Sequence, residues 1–179
     1  MFGRRSARGN KRRGKMNLLS VLIIISGLSL TPNDRLNLFV DTLFQQYQIN
    51  FETSQYEIYK NDHNPKWRGN FEGGGVYVYE EYSIYFNNIV GFYKDIFIDQ
   101  VSKDTYPEKI VFVCVSPDQK DHNYMIQCFG NTKMIKHENI DDEYYDNNTS
   151  EYNTNKYKII FISQRDKIMK IEIQEKKNQ

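Results

Sequence analysis

The chain is poor in the residues from which most reaction centres are built. Its 179 residues hold three histidines, two cysteines, one tryptophan and a single alanine, Ala7. Two cysteines are too few for a four-thiolate zinc site, and Cys114 and Cys128 lack the Cys-x-x-Cys redox spacing. His63, His122 and His137 lie far apart, each in or near a turn, and without metal-ligand spacing they read as surface turn residues. No serine sits in a Gly-x-Ser-x-Gly elbow, which argues against that class of hydrolase. Gly73-Gly74-Gly75 lacks the Gly-Lys-Ser/Thr of a phosphate-binding loop and precedes a strand pattern, so it reads as a flexible strand entry. No catalytic residue, metal ligand or cofactor is therefore predicted.

Long apolar runs are scarce too: residues 18–30 form the only one. Arg4, Arg5, Arg8, Lys11, Arg12, Arg13 and Lys15 precede it with no acid among them. Basic, then apolar, then small residues is the layout of a secretory signal peptide. As a helix the run spans roughly 20 Å against about 30 Å for a bilayer core, short for a span. Gly27 and Ser29 offer a small-x-small pair, so cleavage after Ser29 is expected, with residues 1–29 as leader. Met16 offers a second start with a shorter leader. An uncleaved membrane anchor over 18–30, a mitochondrial presequence and a core helix behind a basic tail are the competing readings.

The formal net charge of +1 hides a split. Beyond the leader, 17 basic residues face 23 acidic ones, a net of −6. A mildly acidic domain does not suit a general nucleic-acid surface, which needs a basic face to displace counterions. What the domain has in abundance is aromatic: 14 Tyr and 11 Phe, a mix that favours strands.

Residues 30–179 read as one domain. Thr31-Pro32-Asn33-Asp34 combines an N-cap hydroxyl, a first-turn proline and an early acid. Leu36, Phe39, Val40, Leu43, Phe44 and Tyr47 follow at helical period, which predicts an amphipathic helix over 32–47 packed on a sheet. Alternation and turn residues then suggest strands over 55–60, 66–71, 75–86, 88–98, 109–116, 123–129, 132–137, 157–163 and 167–174. The unbroken apolar residues 110–115 point to the sheet centre. Gln164-Arg165-Asp166 reads as a three-residue hairpin tip, and the acidic stretch 140–155 as an exposed loop. The predicted fold is mainly β (α+β): one helix on an antiparallel barrel or strongly curved sheet of about eight strands.

Cys114 and Cys128 fall on neighbouring predicted strands and could pair as a disulfide in an oxidising lumen; two buried thiols are the alternative. Asn147 and Asn148 begin overlapping Asn-x-Ser/Thr glycosylation acceptors in the predicted loop. Glu80, on a regular strand, would share the face of Tyr82 as a polar anchor in an aromatic pocket, unless a bulge turns Glu80 and Glu81 to water. Trp67 would join that pocket from the start of the β region. A Trp there, a leading helix and about eight strands faintly resemble the layout of lipocalins. Pro65 stands where that family's Gly-x-Trp needs glycine, a strand precedes the Trp, and no helix follows the last strand. The expected function is a secreted or lumenal, non-enzymatic binding protein that uses its aromatic pocket or sheet face for a small apolar ligand or a protein partner. A membrane-anchored accessory subunit is the alternative.

Overall fold

The computed structural model describes residues 18–60, 67–71, 74–87, 103–114, 120–131, 134–139 and 146–176. The fold is mostly β, with four helices among the described residues. The first, α1 (Leu18–Ser26), is a run of Leu, Ile and Val with no breaker before Gly27. Nine residues are too few for an isolated helix to hold in water, so α1 depends on its neighbours. It buries Val21, Leu22 and Ile25 in the main core.

α2 (Pro32–Tyr47) follows the predicted pattern. The Thr31 hydroxyl accepts from the Asp34 backbone N–H at 3.2 Å, and Pro32 occupies the first turn. Leu36, Phe39, Val40, Leu43 and Phe44 are buried. The helix ends at Gln48, a left-handed residue (φ 54°) whose N–H bonds the Phe44 carbonyl. That turn sends Ile49 and Phe51 back into the core.

The remaining helices stand where strands were expected. Residues 55–60 form α3 (Gln55–Lys60). Its start is a capping box: Glu57 Oε2 accepts from the Ser54 N–H at 3.0 Å, and Ser54 Oγ accepts from the Glu57 N–H at 3.3 Å. Residues 121–129 form α4 (Asp121–Phe129), which buries Asp121, Met125, Cys128 and Phe129 at helical spacing. β-propensity favoured strands in both places; the capping box outweighs it in α3, and the buried contacts of Met125, Cys128 and Phe129 outweigh it in α4.

The sheet contains β1 (Trp67–Phe71), β2 (Gly74–Val78), β3 (Tyr82–Asn87), β4 (Pro107–Val113), β5 (Met134–Asn139), β6 (Asp146–Asn153), β7 (Tyr157–Gln164) and β8 (Lys167–Glu175). Its order is β1-β2-β3-β4-β8-β7-β6-β5, and every pairing is antiparallel. After β4 the chain passes through α4 to the far edge and returns strand by strand to β4. Among the described residues β1 and β5 are the two edges, so the sheet they form is open and not closed into the expected barrel. Helices cover the apolar face that closure would otherwise have to bury.

Register explains that face. Tyr77, Ile84, Ile110, Ile173, Ile159 and Tyr152 stand side by side across β2, β3, β4, β8, β7 and β6. Tyr82, Phe112, Ile171, Phe161 and Ser150 form the next row. All of these residues are buried. α2 lies on them: the Phe39 ring is 5.8 Å from Phe161, and Phe44 is 6.5 Å from Phe112. Each such ring removes 150–250 Å² from water, so this layer dominates the stability.

Three further expectations change. The long strand over 75–86 is a hairpin, with Glu80 and Glu81 in the turn between β2 and β3. Residues 146–153 of the predicted acidic loop are strand β6, paired on both sides. The β7–β8 tip is tighter than expected. Gln164 pairs with Lys167, and only Arg165 (φ 48°) and Asp166 (φ 63°) lie between them, the two positive φ values of a type I′ turn. The predicted strand over 88–98 lies outside the described residues.

Candidate functional site: a cleft at the end of α2

The C-terminal end of α2, the turn after it and the ends of β7 and β8 enclose a cleft of about 600 Å³. One wall is residues 48–53. Here Asn50 Oδ1 accepts from the Glu52 N–H at 2.9 Å and from the Thr53 hydroxyl at 2.7 Å. This local side-chain turn fixes the wall and sets Glu52 on the rim. The opposite wall is the β6–β7 turn. Thr154 Oγ1 accepts from the backbone N–H groups of Lys156 (3.1 Å) and Tyr157 (2.9 Å). Lys176 Nζ donates to the Thr154 carbonyl at 2.8 Å, which ties the turn to the end of β8.

Aromatic rings line the interior. Phe44 and Phe51 meet edge to face at 5.5 Å, and Tyr157 lies 6.0 Å from Phe44 and 6.2 Å from Phe51. Around them stand Asp41, Glu52 and Glu175, opposed by Lys156. Burial raises the Tyr157 hydroxyl pKa, and the charges of Asp41, Glu175 and Glu52 raise it further. Three carboxylates thus share the cleft lining with Tyr157. Such a surface attracts cations through carboxylate charge and ring quadrupole together.

None of the sequence-predicted ligand residues lines this cleft. Glu80 is exposed in the β2–β3 turn, whereas Tyr82 is 7% exposed. Tyr82 stacks on Tyr79 at 4.5 Å and meets Tyr47 at 5.3 Å. Burial, then the Glu81 charge, pushes the Tyr82 hydroxyl up to about 12. Glu81 also bonds Tyr47, whose pKa rises for the same two reasons. This group is a packed polar–aromatic seam. Trp67 is the first residue of β1, opposite Val78.

Cys114 and Cys128 are free thiols, which corrects the expected disulfide. The pairing assumed two adjacent strands, but Cys114 follows β4 and Cys128 sits on α4. Cys128 Sγ instead donates to the Leu22 carbonyl of α1 at 2.9 Å. Desolvation, then the charge of buried Asp121, pushes the Cys114 thiol up to about 12, which suppresses the thiolate a nucleophile would need. Ser163 Oγ and His122 Nδ1 lie 3.5 Å apart nearby, but Ser163 is only 1% exposed. Asn147 and Asn148 stand on β6, opposite Gln164 and Ser163 of β7, and Asn148 is half-buried.

Sequence reasoning missed Asp41, Glu52, Tyr157 and Glu175. Asp41 lies on the polar side of a correctly read helix, but nothing local links it to positions more than a hundred residues away. Among the described residues, no group of three or more histidine, cysteine or acidic side chains could hold a metal ion. No helix among them is long and apolar enough to cross a membrane. No protein-family model and no curated relative matches the sequence. The solved structure of a DUF4309 family protein (YjgB) from Bacillus subtilis is similar at a TM-score of 0.45 and 10% identity, over 70% of this chain and 80% of that one. At that level the likeness carries no functional argument.

Proposed function

We propose that the chain is a non-enzymatic binding protein and that the cleft at the end of α2 is its site. The observation that carries this reading is a cleft lined by Asp41, Glu52 and Glu175 together with Phe44, Phe51 and Tyr157. A primary amine or guanidinium matches that chemistry better than the small apolar molecule first expected. Specificity here rests on charge and ring contact, so affinity falls as salt rises. The test is a titration of the full chain with lysine tripeptide, followed through the Tyr157 ring signals, with glutamate tripeptide as control. The basic peptide shifts those signals, and Asp41→Asn or Glu175→Gln each weakens binding by about threefold. Equal response to both peptides, or none to either, removes the site.

A second reading concerns place. Secretion with cleavage after Ser29 would take away α1 and uncover the surfaces of α2 and α4 that Val21, Leu22 and Ile25 pack against. That packing favours a chain that keeps residues 18–30 as a core helix behind a basic tail over one that loses them. N-terminal sequencing of protein from its natural source decides this. A start near Leu30 supports secretion, and a start at Met1 or Met16 supports retention.

A further inference from the structure

The cleft at the end of α2 holds charges of both signs, and they do not neutralise one another inside the protein. Asp41, Glu52 and Glu175 line it together with Lys156, and all four residues are exposed. Among the described residues their side chains form no ion pair with one another and no hydrogen bond. Asp41 comes from α2, Glu52 from the turn after it, and Glu175 from β8, directly opposite Tyr157 of β7. Lys156 comes from a fourth element, the β6–β7 turn. The two signs of charge therefore sit at separate places along one lining, and both are left for a ligand.

The backbone of Lys156 is fixed on both sides. Its N–H donates to Thr154 Oγ1 at 3.1 Å, and its carbonyl accepts from the Lys176 N–H at 2.8 Å. The neighbouring lysines are already engaged. Lys176 Nζ donates to the Thr154 carbonyl at 2.8 Å, and Lys158 Nζ lies 2.9 Å from Glu151. Of these lysines only Lys156 lines the cleft.

The charge pattern narrows the ligand. Three carboxylates and one ammonium complement a molecule that carries more than one cation and a single anion. A simple amine meets only the first requirement and brings a like charge toward Lys156, which weakens binding. A short basic peptide with a free C-terminal carboxylate meets both. A cleft of about 600 Å³ is of the size that holds such ligands. The rings of Phe44, Phe51 and Tyr157 offer apolar contact to the methylene stems of lysine or arginine.

We propose that the cleft binds the C-terminal end of a basic peptide, with Lys156 on the terminal carboxylate and Asp41, Glu52 and Glu175 on the ammonium or guanidinium groups. This rests on the cleft taking cations at all, and adds to that reading an anion contact it does not contain.

The experiment compares lysine tripeptide bearing a free C-terminal carboxylate with the same tripeptide amidated at its C-terminus. The full chain is titrated with each and followed through the Tyr157 ring signals. Amidation adds one net positive charge, so attraction to an acidic cleft alone makes the amide the tighter ligand. Recognition of the carboxylate reverses that order, and the free acid binds about threefold more tightly than the amide. Lys156→Gln abolishes the preference and Lys156→Arg, which keeps the charge, retains it. Lys158→Gln takes one charge from the same strand outside the cleft and leaves the preference unchanged. An amide that binds the wild type as tightly as the acid, or more so, overturns the carboxylate contact while leaving the cation site standing. A preference for the acid that survives Lys156→Gln overturns the role of Lys156. Absence of binding by either peptide overturns the cation site and this proposal together.

Discussion

α1 and α2 follow one another on the same aromatic core, yet they meet water in opposite ways. α2 has a side-chain cap, a proline in its first turn, a buried stripe and a polar outer side. α1 has no acid in its first turn, no base in its last, and isoleucines on its outer side. Arg35 of α2 holds the join, donating to the Leu28 carbonyl at 2.7 Å and the Cys128 carbonyl at 3.4 Å. α2 is thus complete as a surface helix of a water-soluble domain. α1 buries Val21, Leu22 and Ile25 on its inner side and leaves Ile23 and Ile24 exposed on its outer one.

Substitutions along the two helices can break that contrast. The largest effect is expected for Phe39→Ala. Phe39 is fully buried against Phe129 and Phe161, and its loss costs about 4 kcal/mol in urea unfolding. Leu22→Ala, equally buried but on α1, costs about 3 kcal/mol. A cost near zero there would make α1 a detachable segment and end its equivalence with α2 inside the core. Thr31→Ala removes the α2 cap and costs about 1 kcal/mol.

The smallest effect lies on β6 and β7, at a site chosen to be independent of either helix. Lys158 sits 2.9 Å from Glu151, and its hydrogen bond, with one from Asn153, holds the Glu151 carboxyl below the usual glutamate range. A lowered folded pKa stabilises above the unfolded value and loses that contribution as pH falls through the folded one. Glu151→Gln should therefore cost about 0.5 kcal/mol at neutral pH, with the difference closing in acid. A difference that grows on acidification would contradict the assignment.

What could be read from the sequence was local and periodic. The α2 stripe and cap sit within residues 31–47, and β7 and β8 show alternation around a tight turn. α3 was legible in principle, because Ser54 and Glu57 have the capping-box spacing, but Tyr56, Ile58 and Tyr59 drew the reading toward a strand. α4 also left a signal: Met125, Cys128 and Phe129 at helical spacing and Gly130 just past the end. β6 hid for another reason. It turns Ser150 and Tyr152 to the core, and the Tyr152 hydroxyl donates to the Gly130 carbonyl at 2.7 Å, so a polar composition still makes a paired strand. The cleft was not legible at all. Asp41 and Glu52 share one cleft with Tyr157 and Glu175 only through the packing of α2 on the sheet, which no local pattern encodes.

The most direct test of α1 as core is the reactivity of Cys128 in the full chain. Its Sγ is covered by α1 and bonded to the Leu22 carbonyl, and the residue is 1% exposed. In a Cys114→Ala background, time-resolved alkylation of the native protein should label Cys128 only as fast as the whole domain unfolds, with full labelling at once in urea. Rapid labelling of Cys128 under native conditions, with the sheet and α2 intact, would contradict the packing of α1 and return residues 18–30 to the status of a separable leader.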